Sequence, residues 1–221
     1  MKQPLSADLP FAEGYVLPID KPLGWTSSDV VRKIKVMMRR LGHRKIKVGH
    51  AGTLDPLATG ILIVCLGRAT KQAEALQAQP KEYLTTLALG ATTPSFDMEH
   101  PVDRTFPYEH ITRQMLEEAL RTMEGEQMQL PPVYSAKSID GKRAYEYARQ
   151  GTEVEMRRAP VTVYGMRLES FEPPRATLRI RCSKGTYIRS IARDLGEKLG
   201  SGAYLTALCR TRSGDFTLED A

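Results

Sequence analysis

The chain has 221 residues, with 32 Lys and Arg against 26 Asp and Glu, for a formal net charge of +6. Hydrophobic residues make up 41% and charged residues 26%, a globular balance that excludes a wholly disordered chain. The longest purely apolar run, Ile61–Leu66, is six residues, too short for a membrane-crossing helix, so no membrane attachment is expected.

Residues 1–13 read as a loose N-terminal arm without the apolar core of a secretory signal. Residues 14–221 are expected to fold as one body. Tyr15 to Ile19 is a short apolar run that ends in the turn signal Asp20-Lys21-Pro22-Leu23-Gly24. A helix follows. Thr26, Ser27 and Ser28 offer caps, Val30, Ile34, Met37 and Leu41 share a face, and Gly42 ends it. A Gly-rich stretch from Gly49 to Gly60 leads into Ile61–Leu66, which reads as a buried strand. Glu82 to Leu89 is a second strand, and Thr112 to Met123 a helix with Leu116, Ala119, Leu120 and Met123 on one face. Lys142 to Gln150 reads as a short helix and Val161 to Leu168 as a strand. Ala176 to Ser183 alternates, with Ala176, Leu178, Ile180 and Cys182 facing inward. Ile188, Ile191, Ala192, Leu195 and Leu199 form a helix face, and Leu205 to Thr217 a last strand. Strands and helices mix without a βαβ rhythm, so the expected class is α+β.

Two segments hold the positive charge. Lys21 to Val48 carries nine basic residues and one acid, Asp29; Arg175 to Arg212 carries nine basic residues and two acids. The remainder is acidic. This pattern suggests a polyanion-binding face, with solvated helix and strand faces as the alternative. The three cysteines are odd in number and far apart, and neither CxxC nor HExxH occurs. Zinc-ribbon, thioredoxin and zinc-protease chemistry are therefore not expected, and a reducing, cytoplasmic compartment fits.

Several residues admit two readings. Asp55 is the one acid of the Gly-rich stretch. It could cap a short helix opened by Pro56, or act as a catalytic acid on a constrained turn. The stretch is neither a P-loop nor a dinucleotide fingerprint, since it lacks GxxxxGK[ST] and precedes its strand. His50 could be a polar loop residue or part of a site. Arg189 could contact phosphate or orient a carboxylate with its planar fork. Tyr83 could be an ordinary strand residue or a stacking platform for a base.

The stretch Gly49-His50-Ala51-Gly52-Thr53-Leu54-Asp55-Pro56-Leu57-Ala58-Thr59-Gly60 resembles the signature loop of the TruB-type tRNA pseudouridine synthases. Agreement continues in order through Asp20-Lys21-Pro22, Lys81-Glu82-Tyr83, Pro131-Pro132-Val133-Tyr134-Ser135-Ala136 and Cys182-Ser183-Lys184-Gly185-Thr186-Tyr187-Ile188-Arg189. It covers roughly residues 14–214. The resemblance implies a largely antiparallel mixed sheet flanked by helices, with a central RNA-binding cleft, a catalytic domain over 14–221 and an RNA-gripping thumb near 127–158. It implies isomerisation of uridine 55 in the tRNA T loop to pseudouridine, with no cofactor and no metal, by a monomer whose partner is the tRNA T arm. Asp55 matches the catalytic aspartate, Tyr83 the tyrosine stacked on the flipped uracil, and Arg189 the arginine that pairs with the catalytic carboxylate. His50 matches the residue that occupies the space the base leaves. Lys21, Tyr187, Ile188 and Leu208 match pocket positions, and Asp97 an RNA-contacting acid.

Two departures stand out. By the resemblance, the catalytic core is expected to extend to about residue 221, and no small C-terminal RNA-binding domain of the kind common in bacterial members is expected. In the thumb, Lys137 precedes Ser138, whereas the family has an apolar residue followed by lysine. Asp55 could attack C1′, attack C6 or remove the C2′ proton, and these routes stay open. The rival function is a non-catalytic RNA-binding protein or tRNA-folding chaperone on the same fold.

Overall fold

The computed structural model describes residues 9–135, 137–139, 141–152 and 154–221. Most of the expected arm, residues 1–8, and thumb positions 136, 140 and 153 therefore lie outside the described residues. In chain order the elements are β1 (Tyr15–Lys21), α1 (Ser27–Arg40), β2 (Val48–Ala51), β3 (Ala58–Leu66), a 3-10 turn (Gly67–Gln72), α2 (Ala73–Ala78), β4 (Lys81–Leu89), β5 (Ala91–Thr92), β6 (Arg104–Thr105), α3 (Arg113–Thr122) and β7 (Gly125–Gln129). They continue with β8 (Ser138–Ile139), β9 (Lys142–Arg143), α4 (Ala144–Arg149), β10 (Ala159–Glu172), β11 (Arg175–Cys182), α5 (Ile188–Lys198), β12 (Ala203–Ser213) and β13 (Phe216–Thr217). Mixed helices and mainly antiparallel strands bear out the α+β expectation. Among the described residues no helix is long and apolar enough to cross a membrane.

The chain forms two compact units, Met1–Leu84 with Leu208–Ala221, and Thr85–Ala207. In the first, β3 is central. β1 pairs antiparallel along its whole length, from Tyr15 opposite Leu66 to Lys21 opposite Gly60. The other edge is shared. β2 pairs antiparallel there, with Val48 opposite Leu66, and the end of β12 runs parallel, with Leu208 opposite Ala58. Ile61 through Leu66 are all buried, so β3 is covered on both faces, which explains its unbroken apolar run. Ile61, Ile63 and Cys65 pack with Ala51 and Ala69, flanked by Val16, Leu76 and Phe216.

α1 starts where Thr26 caps it, through a reciprocal box with Asp29. Its buried stripe is Val30, Ile34 and Met38, not Met37 as expected; a step of four from Ile34 keeps Met38 in line with the core, while Met37 swings to the edge. The N-terminal stretch also differs from a loose arm. Phe11 is fully buried and meets Tyr15 and His43 edge-on, with ring centroids 5.4 Å apart in both pairs. The Gly-rich stretch is not all loop, since Val48–Ala51 gains a ladder along β3.

In the second unit β10 lies between β7 and β11, antiparallel to both. Ala176, Leu178, Ile180 and Cys182 are fully buried, as the alternation predicts. α3 lies against β10 and α5, with Leu116, Ala119 and Leu120 buried. The expected helix over 142–150 is split into β9 and the shorter α4. The expected last strand breaks after Ser213, where the turn at Gly214 folds β13 back on β12.

Candidate active site

Asp55 stands at a tight turn rather than at a helix cap. The Ala58 N–H donates to the Asp55 carbonyl at 3.0 Å, and Pro56 supplies the fixed φ of the second turn position. The turn feeds directly into β3. No helix follows because Ala58 already pairs with Leu208 of β12.

Three polar side chains hold this loop. Ser27 Oγ accepts from the Leu54 N–H at 2.9 Å and donates to the Leu54 carbonyl at 3.1 Å. The residue before Asp55 is thus clamped at both backbone groups by the first residue of α1. Lys21, fully buried at the end of β1, donates from Nζ to the carbonyls of Trp25 at 2.6 Å, Pro22 at 3.0 Å and Pro56 at 3.4 Å. One ammonium therefore ties the turn after β1 to the turn after Asp55, and Gly24 N–H adds a 2.8 Å bond to the Pro56 carbonyl. Arg210 of β12, 1% exposed, donates to the carbonyls of Ile61 at 2.7 Å, Gly52 at 3.1 Å and Thr53 at 3.4 Å. Gly60 makes that approach possible. Its φ is +97°, and a Cβ there would lie 2.8 Å from the Arg210 backbone nitrogen.

These cations set the local electrostatics. Burial pushes the Lys21 ammonium below its ordinary range; the Asp55 charge opposes that shift and Arg210 adds to it. Lys21 and Asp55 are thus within electrostatic reach of each other. His50 lies on β2 opposite Val64, not in a loop. Burial, with a smaller push from Arg210, holds its imidazole below the usual value, and its buried Nδ1 has no hydrogen-bond partner among the described residues. Tyr83 is nearly buried on β4, where Thr211 of β12 donates to the carboxylate of neighbouring Glu82 at 2.8 Å. Leu208, half-buried, completes this group. Lys21, His50, Asp55, Tyr83 and Leu208 all belong to the first unit.

Asp97, Tyr187, Ile188 and Arg189 belong to the second. Arg189, in the first turn of α5, is buried, with Nε 3.7 Å from Asp97 Oδ2 and Nη1 donating to the Ser95 carbonyl at 3.3 Å. Asp97 Oδ1 accepts the Glu99 N–H at 2.9 Å. The start of α5 is fixed by Gln129 at the end of β7. Its side-chain amide donates to the Tyr187 carbonyl at 3.1 Å and accepts the Tyr187 N–H at 2.8 Å. Ser190 and Arg193 both donate to the Leu130 carbonyl, at 2.8 and 3.1 Å. The entrance to the expected thumb is therefore stapled to the helix turn that carries Arg189.

Ser27, Arg210 and Gln129 were not singled out by the sequence. Ser27 is one of three candidate caps, and nothing local marks its bond to Leu54. Arg210 sits where the burial alternation of β12 changes parity, so no period exposes it. Among the described residues no group of three His, Cys, Asp or Glu could hold a metal ion.

Residues 39–188 match the family model described as TruB family pseudouridylate synthase, N-terminal domain. A Phocaeicola vulgatus protein named tRNA pseudouridine synthase B is 56% identical over 211 residues, 95% of this chain and 90% of that protein. One of the same name from Flavobacterium johnsoniae is 46% identical over 213 residues, 96% of this chain and 93% of that protein. A solved Cbf5 complex with Nop10 and Gar1 contains a chain with TM-score 0.72 and 30% identity, covering 96% of this chain and 52% of that one. A chain of an H/ACA RNP bound to a substrate RNA containing 2′-deoxyuridine gives TM-score 0.66 at 29% identity, covering 91% and 48%. The present chain thus spans about half the length of these two structural neighbours. The fold is that of a pseudouridine synthase. The chain belongs to the TruB family of pseudouridylate synthases.

Proposed function

We propose that the protein isomerises uridine 55 in the T loop of tRNA to pseudouridine, with Asp55 as the catalytic carboxylate. The carrying observation is the loop itself. An acid is set on a turn whose flanking backbone is clamped by Ser27, Lys21 and Arg210, within a chain 56% identical to a tRNA pseudouridine synthase B over 95% of its length.

A stacked uridine hides its glycosidic carbon and C6, so the nucleotide is first flipped out of the loop. Asp55 then acts as nucleophile or base. The C1′–N1 bond breaks, the uracil turns while held, and a C1′–C5 bond forms. The C5 proton is released to solvent and N1 gains one, so the reaction balances without oxidant, reductant or energy source. Tyr83 stacks on the uracil, and Ile188, Leu208 and Tyr187 line its pocket. His50, held neutral by burial, occupies the space the base leaves. Arg189 orients the Asp55 carboxylate, which a planar fork does better than an ammonium. Support for that role is its rigidity, since Asp97 and Ser95 hold the guanidinium and Gln129 holds the turn beneath it. Lys21 keeps the Asp55 turn in place, Asp97, buried beside Arg189, acts on the RNA through that arginine, and the segment 127–158 grips the T arm. The protein works as a monomer in the cytoplasm.

The test is tritium release from tRNA carrying 5-tritiated uridine, with no added nucleotide or metal. Release of one tritium per tRNA, with pseudouridine in the nuclease digest, supports the reading. Tight tRNA binding with no release supports the non-catalytic RNA-binding alternative instead.

A further inference from the structure

A concavity at the start of α1 takes no part in the chemistry above. Its walls are Gly24, Trp25, Asp29, Arg32, Lys33 and Val36, around about 450 Å³, within the range of small-ligand clefts, roughly 300–1,000 Å³. Trp25 and Val36 are each 39% exposed. The core stripe of this helix is Val30, Ile34 and Met38, so neither residue serves the core. The backbone carrying the indole is nevertheless held, because the Trp25 carbonyl accepts from buried Lys21 at 2.6 Å. The ring is therefore presented to solvent from a fixed base.

The charge around the concavity is mixed but net positive: Asp29 and Arg32 on its wall pair with each other, and Lys33 adds a further positive charge. Asp29 is committed locally, accepting from the Thr26 N–H at 2.9 Å and pairing with Arg32 Nη1 at 3.1 Å. It is the only acid between Lys21 and Val48. Arg32 and Lys33 are exposed on the rim, and Lys35, Arg39 and Arg40 continue along the helix.

We propose that this concavity is a stacking site for a nucleobase of the RNA substrate, with the Trp25 indole as platform, Val36 as an apolar wall, and Arg32 and Lys33 meeting the flanking phosphates. The inference rests on the RNA reading given above. Every base has a π-face, so an exposed aromatic on a basic surface takes unpaired nucleotides with little regard to sequence. Phosphates on both sides of the base supply negative charge to a surface that is net positive from Lys21 to Val48. An acidic protein segment would satisfy the rim but would leave the indole without a partner.

Trp25 is the only tryptophan in the chain, so emission excited beyond the tyrosine absorption band reports on this site alone. Full-length tRNA is titrated into the whole protein at fixed salt, with emission and filter binding followed together. The expected result is a saturable quench whose midpoint equals the filter-binding Kd. Trp25→Leu should weaken tRNA binding about fivefold or more, the lower end of what one aromatic–base stack contributes. Val36→Glu, at an exposed helix position, should weaken binding similarly and remove the quench. Poly-glutamate, which has charge but no bases, should not quench. Saturated filter binding with unchanged emission overturns the proposal, as does unaltered binding by Trp25→Leu or an equal quench by poly-glutamate. Pseudouridine formation measured on the same samples keeps the two readings apart. Modification without quench removes only the stacking site, and quench without modification removes only the isomerase reading.

Discussion

Removing a single oxygen atom at Ser27 tests how the Asp55 loop is held. Ser27 and Leu54 are each 3% exposed, and both Leu54 backbone groups bond to Ser27 Oγ, at 2.9 and 3.1 Å. Ser27→Ala deletes both bonds and leaves a buried N–H and C=O without that partner. A neutral hydrogen bond contributes about 0.5–1.5 kcal/mol net, and a buried group left unsatisfied costs about 1–3 kcal/mol. Alanine returns about 0.5 kcal/mol as the better helix former in the first turn. Partial relaxation of the loop brings the expected loss to about 2–3 kcal/mol. Because Leu54 precedes Asp55, the carboxylate should also wander. Misplacement of a catalytic group by an ångström can cost on the order of 10²-fold, so a fall in kcat of about tenfold or more is expected, with KM less affected. Urea denaturation and single-turnover pseudouridine formation measure the two effects, with exposed Ser28→Ala as the silent control. A loss under about 0.5 kcal/mol together with a rate within about twofold of wild type would refute the clamp.

Other expectations follow from the same geometry. Gln129→Leu keeps the side-chain volume but loses both bonds to Tyr187; kcat should fall about tenfold with little change in tRNA Kd, and Gln129→Glu, which keeps the acceptor, should lie between. An equal fall in binding would show that Gln129 only shapes the RNA surface. Arg189→Lys should slow single turnover on the order of 10²-fold or more, because the charge remains but the fork is lost. A loss under about fivefold would indicate a phosphate contact instead. The folded-state pKa of His50 lies below its ordinary 6.5, so the unfolded chain binds the proton first as pH falls. Stability should therefore decline from about pH 6.5 down to the folded pKa, and His50→Gln should remove that part of the pH dependence. An unchanged slope in the variant would place the titration elsewhere.

Much of this was legible in the sequence, for identifiable reasons. The β11 alternation and the α5 face appear at the expected positions because each segment buries one side against the core. β3 reads as a strand because both of its faces are covered. β2 was hidden because Val48-Gly49-His50-Ala51 has glycine-rich neighbours and no period, and only its ladder with β3 makes it a strand. At Asp55 the local pattern of acid and proline suits a helix cap; the parallel pairing of Ala58 with Leu208, 150 residues along the chain, decides for a turn. Ser27, Arg210 and Gln129 act through backbone groups distant in sequence, which no local pattern encodes. Lys21 was legible only through the resemblance, and its three carbonyl contacts account for that position physically.

The most direct test of the central claim is position-resolved mapping of pseudouridine in unmodified tRNA, after incubation with wild-type protein or Asp55→Asn. The exchange of carboxylate for amide changes size very little and removes the nucleophile or base. Wild type should convert uridine 55 completely, and the variant should leave it as uridine while binding tRNA with a Kd within about threefold, since a single loop side chain contributes little to phosphate-dominated affinity. Conversion of uridine 55 by Asp55→Asn at the wild-type rate would contradict the account.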